Sequence, residues 1–211
     1  MKKYSQNDED FILSNYFKDF KGNLLSIGEN DGKTLSNSLR LIENGWSAVL
    51  FEPSEDAFNR LQQLHKDNKN VLCLKYGVAG QTGTFEFYES GSHLKKGDVS
   101  LLSTIVKSET AKWEGAGEEF TKKSIDCLSF GDALTMIREN GNELPFDFIT
   151  LDAEGVDVII LKQIDLSNVK ALCIEYNNDE AVKADIMEYC SKFGMNSIIY
   201  QSYENLVITK H

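Results

Sequence analysis

The segment 26–32 carries glycines and acidic residues in a spacing that suits a ligand-binding turn. It reads Ser-Ile-Gly-Glu-Asn-Asp-Gly and continues a short apolar run. Gly28 lets the backbone turn sharply and leaves room for a ligand. If a helix begins near Lys33, Gly32 relieves crowding at its start, where free backbone N–H groups can bind a carboxylate or a phosphate. The residues predicted to contact the ligand here are Ser26, Gly28, Glu29, Asn30 and Gly32.

The spacing of the glycines and acidic residues in 26–32 favours one class of ligand over another. Dinucleotide-binding turns read G-x-G-x-x-G, with the middle glycine against the pyrophosphate. Asn30 stands at that middle position, and Glu29 and Asp31 would repel phosphate. A ligand with a sulfonium charge and an amino-acid end fits better, because acidic groups attract the cation while backbone amides hold its carboxylate. An NAD-dependent dehydrogenase or epimerase is therefore the less favoured alternative.

Glu52 and Pro53 form the second part of the predicted site. Glu52 ends the apolar run 49–51. At the tip of the second strand of a Rossmann-like sheet, a carboxylate can accept both hydroxyls of a ribose. Gly77 and Val78 follow the third predicted strand, in a turn where adenine would lie, and could supply backbone contacts to the base. Each feature alone is also typical of an ordinary turn, and their order along the chain carries the prediction.

Asp152 and Glu154 follow the fourth predicted strand, where ligands of such sheets bind. Two carboxylates one residue apart can act as a base, hold an amino group or bind a metal. No clear third ligand accompanies them, so we assign no metal site. His93 is a further candidate base. Asp157 is predicted to cap the helix that follows.

Apolar runs alternate with helical patterns along most of the chain. Strands are predicted at 24–28, 47–51, 71–75, 146–151 and 169–175, and helices at 35–44, 55–67, 130–139, 156–163 and 181–193. This alternation favours a mostly parallel sheet with helices on both faces. An edge strand at 84–88, a short element at 124–127 and a final strand pair at 195–200 and 205–209 complete the pattern. We expect one domain over 1–211, with an N-terminal helical segment at 1–20.

The segment 90–120 differs from the rest of the chain. It is rich in Gly, Ser, Lys and Glu and has few apolar anchors. Long segments of this kind are usually functional or mobile. The prediction is a long loop that folds over the acceptor as a lid.

Composition and charge exclude several classes of protein. The 211 residues carry a net charge of −11, and no basic cluster exceeds two adjacent lysines, which argues against nucleic-acid binding. No apolar run reaches the roughly 20 residues that span a bilayer. The N-terminus lacks the apolar core of a signal peptide, so a cytoplasmic protein is expected. The four cysteines have no C-x-x-C spacing and are predicted to be buried free thiols. Oligomeric state is left open.

Several motifs together resemble the FkbM-type methyltransferases. The segment 4–10 is similar to the family's S-Q-x-x-E-D, 25–32 to its D-x-G-A-N-x-G, 45–53 to its G-W-x-G-x-x-x-E-P and 151–155 to its D-x-E-G. Ile174 and Glu175, followed by Tyr176 and Asn177, match a family strand that ends in a glutamate.

The resemblance implies a class I methyltransferase fold with a seven-stranded, mostly parallel sheet and an antiparallel last strand. It also implies S-adenosylmethionine as cofactor and a hydroxyl acceptor on a sugar, polyketide or other small metabolite or glycan. Ser26 stands where the family usually has an acid that helps hold the methionine amino group. Glu29 replaces a small alanine and either compensates or crowds the site. A non-catalytic cofactor-binding or interaction module is the alternative on the same fold.

Overall fold

The computed structural model describes residues 2–142 and 145–210. The helices are α1 (Glu9–Phe17), α2 (Leu39–Glu43), α3 (Glu55–His65), α4 (Lys107–Glu114), α5 (Phe130–Glu139), α6 (Asp157–Leu161) and α7 (Glu180–Ser191). The strands are β1 (Asn23–Ile27), β2 (Ser47–Phe51), β3 (Val71–Leu74), β4 (Gly77–Val78), β5 (Gly83–Ser90), β6 (Phe120–Leu128), β7 (Phe148–Leu151), β8 (Ala171–Glu175), β9 (Ser197–Gln201) and β10 (Asn205–Thr209).

Seven strands form one sheet in the order β3-β2-β1-β7-β8-β10-β9. The first five are parallel, and β10 runs antiparallel to both of its neighbours. This confirms the predicted fold class. The chain leaves β1 toward β2 and β3, and it returns to the other side of β1 with β7. Such a switch point opens a crevice at the carboxyl ends of the strands.

Apolar side chains cover both faces of this sheet. Residues alternate between faces along a strand, so Leu25 and Ile27 of β1 enter one cluster while Leu24 enters the other. Helices α1, α2 and α3 pack on the Leu24 side, and α5, α6 and α7 pack on the opposite side. The predicted helices on both faces are therefore present, and their packing fixes the strand tips.

A second sheet was not predicted. It contains three strands in the order β4-β6-β5, with β5 antiparallel to β6 from Gly83 to Ser90. The strand predicted at 84–88 is thus longer, and the short element at 124–127 is the end of β6. The prediction of a long loop over 90–120 needs correction, because both ends are strand residues and α4 lies between them. Helix α4 buries only Thr110 and so shows no apolar stripe.

The helix predicted at 35–44 begins only at Leu39, so the expected start near Lys33 is wrong. The Asp31 carboxylate instead accepts the backbone N–H groups of Lys33 and Thr34, at 2.9 and 2.7 Å, and closes a turn. Gly32 therefore marks no helix start. Its φ is +76°, and a Cβ there would lie 2.6 Å from Leu61 Cδ1 of α3.

All four cysteines are free, as predicted. Cys127, Cys173 and Cys190 are buried, whereas Cys73 is only partly buried, which corrects the prediction for that residue. Burial raises the pKa of Cys73 and Cys190 to about 12, which keeps both thiols neutral. Within the described ranges, no helix is long and apolar enough to cross a membrane.

Candidate functional site

A cavity of about 540 Å³ opens at the carboxyl ends of β1, β2, β7 and β8. The small sheet, α4, the segment before α4 and Gln6, which lies near the N-terminus, complete its wall. The volume lies in the range of small-ligand sites. All the predicted cofactor-binding residues except Gly32 line it, and so do Asp152, Glu154 and His93.

Gly28 brings the tips of β1 and β7 together. Its φ is +81°, and a Cβ at this position would lie 1.8 Å from the backbone oxygen of Asp152. Its N–H donates to the Phe51 carbonyl at 3.0 Å. The predicted sharp turn is present. Glycine is required there because the backbone after β7, at Asp152, comes close to Gly28.

Glu52 is 5% exposed, and its carboxylate is held by two backbone groups. Oε2 accepts the N–H of Asn30 at 2.9 Å, and Oε1 accepts the N–H of Ser54 at 2.7 Å. Burial raises the pKa of Glu52 to about 7, and the charges of Glu29 and Asp152 add to this while the two N–H groups oppose it. Each oxygen keeps a free lone pair, so the carboxylate can still accept ligand hydroxyls.

Ser54 and Asn30, whose N–H groups hold the Glu52 carboxylate, also bind other parts of the structure through their side chains. Ser54 is the N-cap residue of α3 by position, but its hydroxyl contacts Glu89 and Ser100 and makes no cap hydrogen bond. The Asn30 side chain donates from Nδ2 to the Val99 carbonyl at 2.8 Å. Asn30 thereby fastens the segment between β5 and α4 to the turn after β1.

Glu29 is buried beside Ser26. Its Oε1 accepts the hydroxyls of Ser36 and Ser38 at 2.7 and 2.6 Å. Burial raises the pKa of Glu29, while the hydroxyls of Ser26, Ser38 and Ser36 oppose that rise. Ser26 has no carboxylate, but the same wall of the cavity presents the carboxylate of Glu29, three residues further along the chain.

Three carboxylates meet at the tips of β7 and β8. Oxygen atoms of Asp152, Glu154 and Glu175 all lie within 4.8 Å of one another. Burial, with repulsion between the neighbouring acids, raises the pKa of Asp152 to about 7 and those of Glu154 and Glu175 well above their usual value. At neutral pH, the cluster can therefore both donate and accept protons.

Glu175 is the third carboxylate of this cluster. The sequence analysis identified it as the end of a strand but did not include it in the site. The available signal was its place at the end of the strand adjacent to that of Asp152. The three oxygen donors could also hold a cation, whereas only two acids were recognised from the sequence.

Asp157 holds the turn that presents Glu154, so its predicted role as a helix cap is wrong. It is the first residue of α6, whose N-cap is Val156. Its carboxylate accepts the N–H groups of Ala153 and Gly155 at 2.7 and 3.2 Å. Thr104 donates to the Glu154 carbonyl at 2.7 Å, which ties this turn to the segment before α4.

Gly77 and Val78 form β4 of the small sheet, which corrects their placement in a turn. Both still line the cavity. His93 lies between β5 and α4, with Nδ1 2.9 Å from Oε1 of Glu118. Its ring packs edge-on against Trp113 at a centroid distance of 5.2 Å. The segment between β5 and β6 therefore contributes to the cavity wall, which is where the sequence analysis placed it.

The sequence model of the methyltransferase FkbM domain matches residues 26–194, which is more than half of the chain. The chain belongs to this FkbM methyltransferase family. The resemblance of the motifs is thus confirmed, and the protein is a methyltransferase by family. No curated protein matches the chain.

Solved structures share the fold of this FkbM domain at low sequence identity. A precorrin 8w decarboxylase from Methanobacterium thermoautotrophicum is 10% identical, with a TM-score of 0.51 over 100% of this chain and 92% of that one. A ribosomal protein L11 methylase from Lactobacillus delbrueckii subsp. bulgaricus is 9% identical, with a TM-score of 0.50 over 98% and 79%. An O-methyltransferase from Bacillus cereus, solved in complex with SAH, is 14% identical, with a TM-score of 0.48 over 99% and 83%.

The cofactor of the FkbM domain is S-adenosylmethionine, and the residues of the cavity fit it. This cofactor has a sulfonium cation, an ammonium group and a ribose with two hydroxyls. The cavity offers a fixed carboxylate in Glu52 and further acids around it, but no dinucleotide turn. It also contains Asn37, whose buried Oδ1 has no hydrogen-bond partner among the described residues. Asn37 was missed because no sequence pattern marks it.

Proposed function

We propose that the protein transfers the methyl group of S-adenosylmethionine to a hydroxyl oxygen of a small, uncharged metabolite or glycan. The cluster of Asp152, Glu154 and Glu175 carries this proposal. A hydroxyl acceptor needs a group that takes its proton, and a general base works best when its pKa lies near the working pH. Burial places the pKa of Asp152 at about 7 and raises that of Glu154.

The charges of the cavity favour an acceptor without phosphate or carboxylate groups. Among the described lining residues, Lys112 is the one lysine or arginine, and it pairs with Glu109 at 2.5 Å. The lining acids are more numerous: Glu29, Glu52, Glu109, Asp152, Glu154, Glu175 and Glu204. Like charges brought together in a partly dry cavity repel strongly. An anionic acceptor would therefore bind poorly.

Each residue has a role in this proposal. S-adenosylmethionine supplies an electrophilic methyl group. Glu52 accepts the ribose hydroxyls, and the backbone of Gly77 and Val78 lies along the adenine. Glu154 or Asp152 takes the proton of the acceptor hydroxyl, while His93 is a second candidate for that step. These groups act mainly by alignment, which is a large part of such catalysis.

The segment 91–119 acts as the cover of the acceptor in this proposal. It reaches the cavity through His93 and Trp113 and is tied to the cofactor side by Asn30. Closing the cavity excludes water and strengthens the electrostatic interactions inside. The chain then works as one domain, with the small sheet as the frame of the cover.

The test is methyl transfer to matched acceptors. The protein is incubated with S-adenosylmethionine and a panel of neutral polyols and sugars, the same compounds as phosphates, and uronic acids. Products are detected by mass spectrometry as a gain of one methyl group. We expect methylation within the neutral set and at least tenfold less with the anionic partners, which corresponds to about 1.4 kcal/mol. Preferred methylation of the anionic compounds would contradict the proposal.

A variant comparison identifies the base. Glu154→Gln should lower kcat by about 100-fold or more, since general-base catalysis contributes 10² to 10⁴, while cofactor affinity stays within about a factor of two. Glu114→Gln, on the exposed side of α4, is the control. If His93→Gln lowers kcat and Glu154→Gln does not, the histidine is the base. Cofactor binding without transfer to any acceptor would support the non-catalytic module.

A further inference from the structure

Asn37 presents a buried acceptor that no group of the protein satisfies. The residue is 7% exposed, and its Oδ1 has no hydrogen-bond partner within residues 2–142 and 145–210. Leaving a buried polar atom unpaired costs free energy, so such atoms usually have a partner. Asn37 lines the cavity, so a rotation of its side chain would bring the unpaired oxygen to a donor on the bound ligand.

Glu29 is a second acceptor on the same wall. Its carboxylate is 5% exposed and forms no salt bridge with a described lysine, arginine or histidine. The hydroxyls of Ser36 and Ser38 both bind Oε1, and the Ser26 hydroxyl also interacts with the carboxylate. All of these partners are neutral. A buried carboxylate without a cation is unfavourable, and a cationic donor would relieve it.

The two acceptors are linked through the short segment 36–38. Ser36 and Ser38, which hold Glu29, flank Asn37 on either side, and their hydroxyls lie 3.1 Å apart. The segment that carries Asn37 therefore also holds the Glu29 carboxylate. Ser26, at the end of β1, lies on the same wall and offers only a hydroxyl.

We propose that Glu29 and Asn37 bind the ammonium group of the S-adenosylmethionine amino-acid end, with Ser36 and Ser38 positioning the Glu29 carboxylate. The inference rests on cofactor binding in this cavity. Of the two cationic groups of the cofactor, only the ammonium has N–H donors, and the Asn37 oxygen requires a donor. The ribose hydroxyls are already assigned to Glu52. The Glu29 carboxylate thus supplies the negative charge that Ser26 lacks.

The first test compares two ligands by calorimetry. S-adenosylhomocysteine has the amino-acid end, whereas 5′-methylthioadenosine lacks it and keeps the nucleoside. We expect Glu29→Gln and Asn37→Leu each to weaken S-adenosylhomocysteine binding by about 10- to 100-fold, the range for losing a hydrogen bond to a charged group. Binding of 5′-methylthioadenosine should change less than about threefold. Glu55→Gln, exposed on α3, is the control and should affect neither ligand.

The second test moves the acid back to the strand end. Glu29→Ala should lose affinity for S-adenosylhomocysteine, and the double variant Ser26→Asp/Glu29→Ala should recover most of it. Ser26→Asp alone should not improve binding, because two carboxylates then compete for one cation. A double variant no better than Glu29→Ala would overturn the inference.

The outcomes separate this inference from the proposed function. If the unaltered protein binds neither ligand, both fail. If it binds S-adenosylhomocysteine, and the Glu29 and Asn37 variants lose both ligands equally or neither while keeping the circular dichroism spectrum of the unaltered protein, only the ammonium site fails. A variant that misfolds is recognised by that spectrum, and the double variant Ser26→Asp/Glu29→Ala then decides.

Discussion

The backbone N–H of Asn30 donates a 2.9 Å hydrogen bond to Oε2 of Glu52, which joins the turn after β1 to the tip of β2. Ser54 fixes the other carboxylate oxygen from the helix side at 2.7 Å. The carboxylate is therefore oriented before any ligand arrives. Such preorganisation reduces the free energy that binding would otherwise spend on ordering a side chain.

Glu52→Ala should abolish measurable cofactor binding, because it removes the acceptor of both ribose hydroxyls. Glu52→Gln keeps the shape but loses the charge and one of the two oxygens that accept the N–H groups of Asn30 and Ser54, and we expect about 10- to 100-fold weaker binding of S-adenosylhomocysteine by calorimetry. Glu55→Gln, three residues along on the exposed face of α3, serves as the matched control. Unchanged affinity in Glu52→Ala would remove Glu52 from the site.

Gly28→Ala should be strongly destabilising. The new Cβ would lie 1.8 Å from the Asp152 oxygen, at a φ of +81°. Gly97→Ala is a close control, since its φ is +80° and nothing lies within 4 Å of the added carbon. The positive φ alone costs about 1–2 kcal/mol, and overpacking adds about 1–3 kcal/mol or more. Urea unfolding should therefore show a clearly larger loss for Gly28→Ala, and equal losses would contradict the close approach.

The tips of the strands could be predicted from the sequence because parallel strands end at the same edge of a sheet. Gly28, Glu52 and Asp152 each follow a continuous apolar run, so their proximity follows from the alternation of strands and helices. The same reasoning could have added Glu175. Its run was recognised, but a glutamate at a strand end is also common where it is merely solvated.

Other features depend on tertiary contacts that no local pattern records. Leu39 and not Lys33 begins α2, because the Asp31 side chain competes for the backbone N–H groups and closes a turn. The small sheet pairs β5 with a strand 30 or more residues away, which periodicity cannot show. Asn37 became visible only as a buried oxygen without a partner.

The apo protein should lose stability as the pH rises toward neutral, in part through Glu52. Its pKa is about 7 in the folded protein against an ordinary value of 4.5, so the folded state binds more protons between these values. The free energy of unfolding then falls with rising pH across that window. For Glu52 alone, the change is about 3 kcal/mol.

Urea unfolding of the unaltered protein and of Glu52→Gln from pH 4.5 to 7.5 tests this expectation. The difference between the two isolates the contribution of Glu52 from those of the other acids. The stability of Glu52→Gln relative to that of the unaltered protein should rise with pH across this window, and Glu114→Gln, at an exposed residue of α4, should follow the unaltered protein. A difference independent of pH would mean that Glu52 has an ordinary pKa.

Asn30→Gly should loosen the cover while leaving the ribose carboxylate in place. Glycine tolerates the φ of +54° and keeps the backbone N–H that binds Glu52, but it removes the side chain that holds Val99. The variant also loses the Asp31 N–H bond to Oδ1, which lies within the turn after β1. Losing the bond to Val99 costs about 1 kcal/mol, so amide exchange in 91–106 should quicken by roughly fivefold to tenfold. Exchange in α3 provides the internal control. If exchange quickens equally in both regions, the variant has lowered global stability and Asn30 has no specific role in holding the cover.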